Sequence, residues 1–183
     1  MTTLEGRGSR ALLVVDLQVG VVDGAHQREE VIATVVDLVA RARASSVPVV
    51  WVQHHDDELV QGSDAWQWVG GLGPADGEPL VEKSYGDAFA DTDLERVLAE
   101  RGVSEIVLVG AASEQCVRCT MHSAVVGGYD VSLVADAHTT TDLTAYGLPT
   151  PAVVVGFLNA IAQFGMQWPG RSARSVPAAD VGF

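Results

Sequence analysis

A three-layer α/β/α class, built on a mostly parallel sheet of about six strands, follows from three features of the sequence. The apolar stretches Ala11–Val15, Val49–Val52 and Ile106–Val109 are short, rich in branched residues and free of polar alternation, as strands buried on both faces require. Segments with helical spacing stand between such stretches, so strand and helix alternate along the chain. Several of the strands also end in a residue capable of chemistry, the signature of a site at the carboxyl edge of a parallel sheet.

The elements follow in order. After a polar leader, Arg10 to Asp16 reads as the first strand, closing on a carboxylate, with Gln18 just beyond. Val31, Val35, Leu38, Val39 and Ala42 place a long amphipathic helix over Gln27 to Ser45. Val47–Gln53 is the second strand, which completes one strand–helix–strand unit. His54 to Pro79 is irregular, rich in Gly and Asp, and long for a connection in a compact domain. Its opening residues His54, His55, Asp56 and Asp57 read as a solvated loop start, since four adjacent residues do not easily converge on one metal ion.

Pro79–Lys83 is a short strand with the lysine at its end, and Ser84–Phe89 a loop. Thr92-Asp-Leu-Glu95 has the capping-box pattern and opens a helix whose Leu94, Val97 and Leu98 face inward. The buried strand through Val109 ends in Gly110-Ala111-Ala112, where small residues allow a sharp turn. Ser113 as N-cap would place Cys116 at the third helical position, where free N–H groups and the helix dipole favour a thiolate. This helix runs through Thr120, Ala124 and Val125 to Gly127-Gly128. Tyr129–Asp136 is another strand ending in an acid, whose Asp136 reads as ordering a loop. Thr150-Pro151 opens a helix to about Phe164, and Arg174–Val176 is expected as a last edge strand.

Composition bounds the function. With 183 residues the chain is read as a single domain over 1–183, with 1–9 as leader and 167–183 as tail. A net charge of −13 argues against nucleic acid and anionic membrane partners, and no apolar run reaches the roughly 18 residues of a membrane span. The N-terminus lacks a signal-peptide layout, so a cytoplasmic location is expected. Ten of the eleven basic residues are arginine, and Lys83 is the only lysine. Where arginine serves everywhere else, a lone lysine marks a place that needs a compact ammonium.

Asp16, Lys83 and Cys116 therefore stand at strand ends that a parallel sheet brings side by side. With these stretches in view the sequence resembles the isochorismatase-like cysteine hydrolases, a group that includes nicotinamidases and N-carbamoylsarcosine amidohydrolases. The matching motifs are Leu12–Gln18, Val81–Phe89 with Thr92–Leu94, Val107–Val117 and Gly128–Ala137. The resemblance runs from roughly residue 10 to 165 and implies an Asp-Lys-Cys triad on Asp16, Lys83 and Cys116. It also implies a cis peptide between Ala111 and Ala112, a small-molecule substrate, and a homodimer or homotetramer. Departures are Ser113 where the family often has Thr, Val21 and Val22 where an aromatic is common, and no Asp-x-His…His metal motif after the second strand.

The expected chemistry is hydrolysis of an amide or related C–N bond through a thioester. The oxyanion would rest on the backbone N–H groups of Ala112 and Cys116, with no cofactor and no metal. Gln18, His55, Trp66, Tyr85 and Phe89 are the expected substrate contacts. Two other readings stay open: vinyl-ether hydrolysis as isochorismatases perform it, which needs the acid but no thiol, and thiol–disulfide chemistry at Cys116-x-x-Cys119. For Cys119 itself the expectation is a place in the core. A zinc half-site at Cys116, Cys119 and His122 lacks ligands from elsewhere.

Overall fold

The computed structural model describes residues 4–183. Seven strands form one sheet: β1 (Ser9–Val15), β2 (Val49–His54), β3 (Leu80–Lys83), β4 (Val103–Ala111), β5 (Asp130–Thr139), β6 (Gln167–Trp168) and β7 (Arg171–Val176). Their spatial order is β3-β2-β1-β4-β5-β7-β6, and every pairing is parallel except the short antiparallel β6–β7. Four α-helices accompany them among the described residues: α1 (Arg28–Ala44), α2 (Leu94–Glu100), α3 (Arg118–Gly127) and α4 (Pro151–Ala160).

Strand alternation divides the core in two. Leu13 and Val15 of β1, with Val50 and Val52 of β2, pack under Leu94 and Leu98 of α2, Met121 and Ala124 of α3 and Leu158 of α4. Leu12, Val14, Val49 and Trp51 point the other way, onto Val31, Val35 and Leu38 of α1. Both faces are covered, which is why the central strands carry no polar alternation.

The structure corrects several element-level expectations. The sheet, expected with about six strands, has seven, and the last strand expected at the edge is not one, because β6 adds an edge and leaves β7 paired on both sides. Strand β5 continues past Asp136 to Thr139; a register shift opposite Leu108 and Gly110 lets exposed Asp136 turn outward before Ala137–Thr139 are buried again. Asp136 accepts the N–H of Ala178 and so orders the C-terminal turn. No capping box forms: Asp93 is the N-cap of α2, while Glu95 pairs with Arg7 and accepts the hydroxyl of Tyr129.

Of the leader, Met1–Thr3 lie outside the described residues; Leu4 packs against the core and Arg7 donates to Tyr129. The tail is tied in by Ala178, Val181 and Phe183, with Arg41 donating to the Ala178 carbonyl. No helix among the described residues is long and apolar enough to cross a membrane.

Candidate active site

The carboxyl ends of β3, β2, β1 and β4 lie side by side, and each delivers one polar group to the same point. Asp16 follows β1 with φ 51°, a left-handed backbone that turns the chain at the strand's end. Its backbone N–H donates to Val52 on β2. Lys83 is the last residue of β3 and His54 the last of β2, and the two are register partners. Beyond β4 the Ala111–Ala112 peptide is cis, and Ser113–Val117 forms a π-helical turn that carries Cys116.

Gly110 makes this convergence possible. It pairs with Val15 at φ 136°, and a Cβ there would stand 2.0 Å from the Val15 carbonyl oxygen. Only glycine allows β4 to pass so close to the end of β1.

Lys83 is 2% exposed and Asp16 1%. The ammonium nitrogen lies 2.6 Å from Asp16 Oδ2, 3.4 Å from Cys116 Sγ and 3.3 Å from His54 Nδ1. Three acceptors thus meet the three protons of one ammonium. Since Nδ1 of His54 accepts, its Nε2–H donates to Asp56 Oδ2 at 3.0 Å. Asp56 is held in turn by the backbone N–H groups of Glu58 and Leu59. The Leu59 hydrogen bond, followed by His54, lowers the Asp56 carboxyl to about 2.

Electrostatics here run against the thiolate expected from sequence. Burial, followed by the Asp16 charge, pushes the Cys116 thiol up to about 12, and Lys83 offsets this only in part. The sulfur sits within a π turn rather than at the start of an α-helix. Ser113 does not cap that turn; its Oγ meets His138 Nδ1 at 2.8 Å, and His138 Nε2 reaches Asn159 Oδ1 at 3.1 Å. Burial depresses His138, so a neutral imidazole braces the turn from behind. Asp16 moves the other way: burial raises its carboxyl above the ordinary range against the pull of Lys83. Burial thus works against the charged form of both the thiol and the acid.

A cavity of about 560 Å³ opens over this cluster, with Asp16, Cys116, Ala112, His54 and Gln115 among its walls. The expected substrate contacts are placed elsewhere. Gln18 is fully buried and clamps two segments, its Nε2 donating to the carbonyls of His54 and Trp66 and its Oε1 accepting from His54 N. Trp66 accepts at that carbonyl from Gln53 as well, and it does not line the cavity. Phe89 turns down onto Tyr129, with ring centroids 5.9 Å apart. Tyr85 is exposed, and neither it nor His55 lines the cavity. The walls come instead from Gly20, Val21, His54, Asp56, Glu58 and Leu59.

Both cysteines are free; Cys119 is half-buried beside Gly86 and Arg118 rather than in the core. His122 stacks edge-on against Trp168. Among the described residues no three His, Cys, Asp or Glu side chains gather to hold a metal.

The sequence reading missed two residues, His54 and His138. The first carried a usable signal, because it ends the strand that separates β1 from β3. The second lies past the acid at which β5 was expected to stop.

Comparison with known proteins agrees with this architecture. Residues 10–148 match the isochorismatase domain family. A streptothricin hydrolase of Streptomyces noursei is 36% identical over 145 residues, covering 76% of this chain and 58% of that one, so the chain spans little more than half of that curated relative. An N-carbamoylsarcosine amidase of an Arthrobacter species is 30% identical over 81 residues, 44% of this chain and 31% of that one. Among solved structures, an isochorismatase from Pseudomonas putida KT2440 superposes with a TM-score of 0.86 at 26% identity, covering 97% of this chain and 94% of the other. On the family match and the shared fold, the chain belongs to the isochorismatase family.

Proposed function

We propose that the protein is a cysteine hydrolase that cleaves an amide or related C–N bond of a small molecule through a thioester. The observation that carries the reading is the meeting of Asp16 and Cys116 at the wall of one open cavity, with the buried Lys83 ammonium 2.6 and 3.4 Å from them. As Cys116 Sγ bonds to the substrate carbonyl carbon, its proton passes to Asp16 and the carbonyl π pair moves to oxygen. The N–H groups of Ala112 and Cys116 receive that oxyanion.

Collapse of the adduct breaks the C–N bond, and Asp16 returns its proton to the leaving nitrogen. Water then attacks the thioester while giving a proton to Asp16. The acyl group leaves as a carboxylic acid, and the sulfur is reprotonated. The raised thiol suits this order of events, since the base acts during attack rather than before it. Lys83 orients the acid and the sulfur, and His54 with Asp56 orients Lys83. The name of one relative, an N-carbamoylsarcosine amidase, supports C–N chemistry, and that of another, a streptothricin hydrolase, supports hydrolysis.

The test is a panel of amides, ureides and carbamoyl compounds assayed for release of ammonia or amine. Cys116→Ala serves as the blank. Release that disappears in that variant, with its circular dichroism unchanged, is the expected outcome; equal release by both proteins removes the covalent mechanism.

A further inference from the structure

The cavity wall has a charge pattern that the bond-breaking chemistry does not require. Asp16, Asp56 and Glu58 all line it, and no arginine or lysine does. Lys83, the nearest cation, is 2% exposed and already engaged by Asp16, Cys116 and His54. Asp56, lowered to about 2, is an anion throughout the working range, but its oxygens are taken by His54 and two backbone N–H groups.

Glu58 is different. It is exposed at the cavity wall, and no hydrogen bond or ion pair engages its carboxylate among the described residues. On the floor, Asp16 Oδ1 is buried with only the neighbouring Cys116 thiol to serve it, and it can accept a further donor from whatever fills the space. An anionic substrate would meet three carboxylates and no free cation. The formal charge of −13 on the whole chain adds a long-range field of the same sign.

We propose that the substrate is a cationic amide, bearing an ammonium or guanidinium group that Glu58 meets while the scissile carbonyl reaches Cys116. This rests on the cysteine-hydrolase reading above and narrows it to one charge class. Aliphatic walls from Val21, Leu59 and Ala65 suit a carbon skeleton linking the two ends.

The test uses the amide panel with each member made in three forms matched in size, carrying an ammonium, a hydroxyl or a carboxylate at one position. Values of kcat/KM should fall in that order, and the spread should narrow in about 0.5 M salt, where exposed charges are screened. Glu58→Gln should reduce the preference for ammonium over hydroxyl by about three- to fivefold, chiefly in KM, the size of one solvent-exposed ion pair. Glu58→Asp should retain part of that preference, and Glu58→Lys should shift it toward the carboxylate form. Release that depends on Cys116 but ignores substrate charge, favours the carboxylate form, or keeps its ammonium preference in Glu58→Gln overturns this inference alone. Absence of Cys116-dependent release from every form takes down the hydrolase reading and this one with it.

Discussion

Two carboxylates in this molecule face a cation at almost the same distance, yet they behave as opposites. Glu78 lies 2.8 Å from Arg43, and Asp16 lies 2.6 Å from Lys83. Arg43 donates to both Glu78 oxygens, Trp51 Nε1 and Ala75 N donate as well, and together they hold Glu78 down to about 2. Asp16 is wholly buried, has one cation that it shares with a sulfur and an imidazole, and is raised. The first carboxylate is saturated and inert. The second is raised chiefly by burial, which suits it to the base role proposed above. What separates the two acids is the depth of burial, followed by the donors each oxygen finds, not the presence of a counter-ion.

The sharpest way to break the contrast is Asp16→Asn. Turnover should fall by about 10² to 10⁴, the usual worth of a general base. Stability should also drop by about 3–5 kcal/mol, because Lys83 is left buried without a counter-charge. Denaturant unfolding read beside kcat checks both, and adding Lys83→Met should restore stability without activity. In the unaltered protein, kcat should decline with falling pH above the ordinary carboxylate range of about 4, because a raised Asp16 reprotonates early. A limb at ordinary carboxylate pH would contradict the raised base.

Lys83→Arg keeps a positive charge but replaces a compact donor with a planar fork. Displacing the acid and sulfur on that scale should lower kcat by about 10². His54→Ala removes only one of the three acceptors around the ammonium. A decrease of about tenfold in kcat is expected, with little change in KM.

Glu78→Gln is the mildest change. It should cost about 1 kcal/mol by thermal or denaturant unfolding and leave kcat unaltered. The sign of its pH dependence is fixed by the lowered carboxyl. Its contribution is present above the ordinary glutamate value of 4.5 and is lost as pH falls from there through about 2. The substituted protein should lack that part of the acid destabilisation.

Much of this was legible in the sequence because a parallel sheet maps strand ends onto one edge. Apolar runs that stop at Asp16, at Lys83 and near Cys116 identify three contributors, and the bias toward arginine singles out the lysine. The substrate contacts were not legible. Aromatic residues on loops tend to be read as a lid, yet Phe89 is drawn into the core by Tyr129, and Trp66 is fixed through its carbonyl by Gln18 and Gln53. Such clamps join residues far apart in the chain and leave no local pattern. The state of the thiol was hidden for a related reason: helix geometry near Ser113 predicts a depressed thiol, while burial beside Asp16 reverses the sign. The signal at His54 is masked in the sequence because, with His55, Asp56 and Asp57, it reads as the solvated start of a loop rather than as the end of a strand beside Lys83.

The central claim is that Cys116 becomes bonded to the acyl half of the substrate. Intact-mass measurement of enzyme quenched during turnover of a slow amide tests it most directly. The account predicts a transient acyl mass increment that maps to Cys116, builds up before product and is absent from Cys116→Ala. Steady turnover with no such increment, or an increment on another residue, would contradict it.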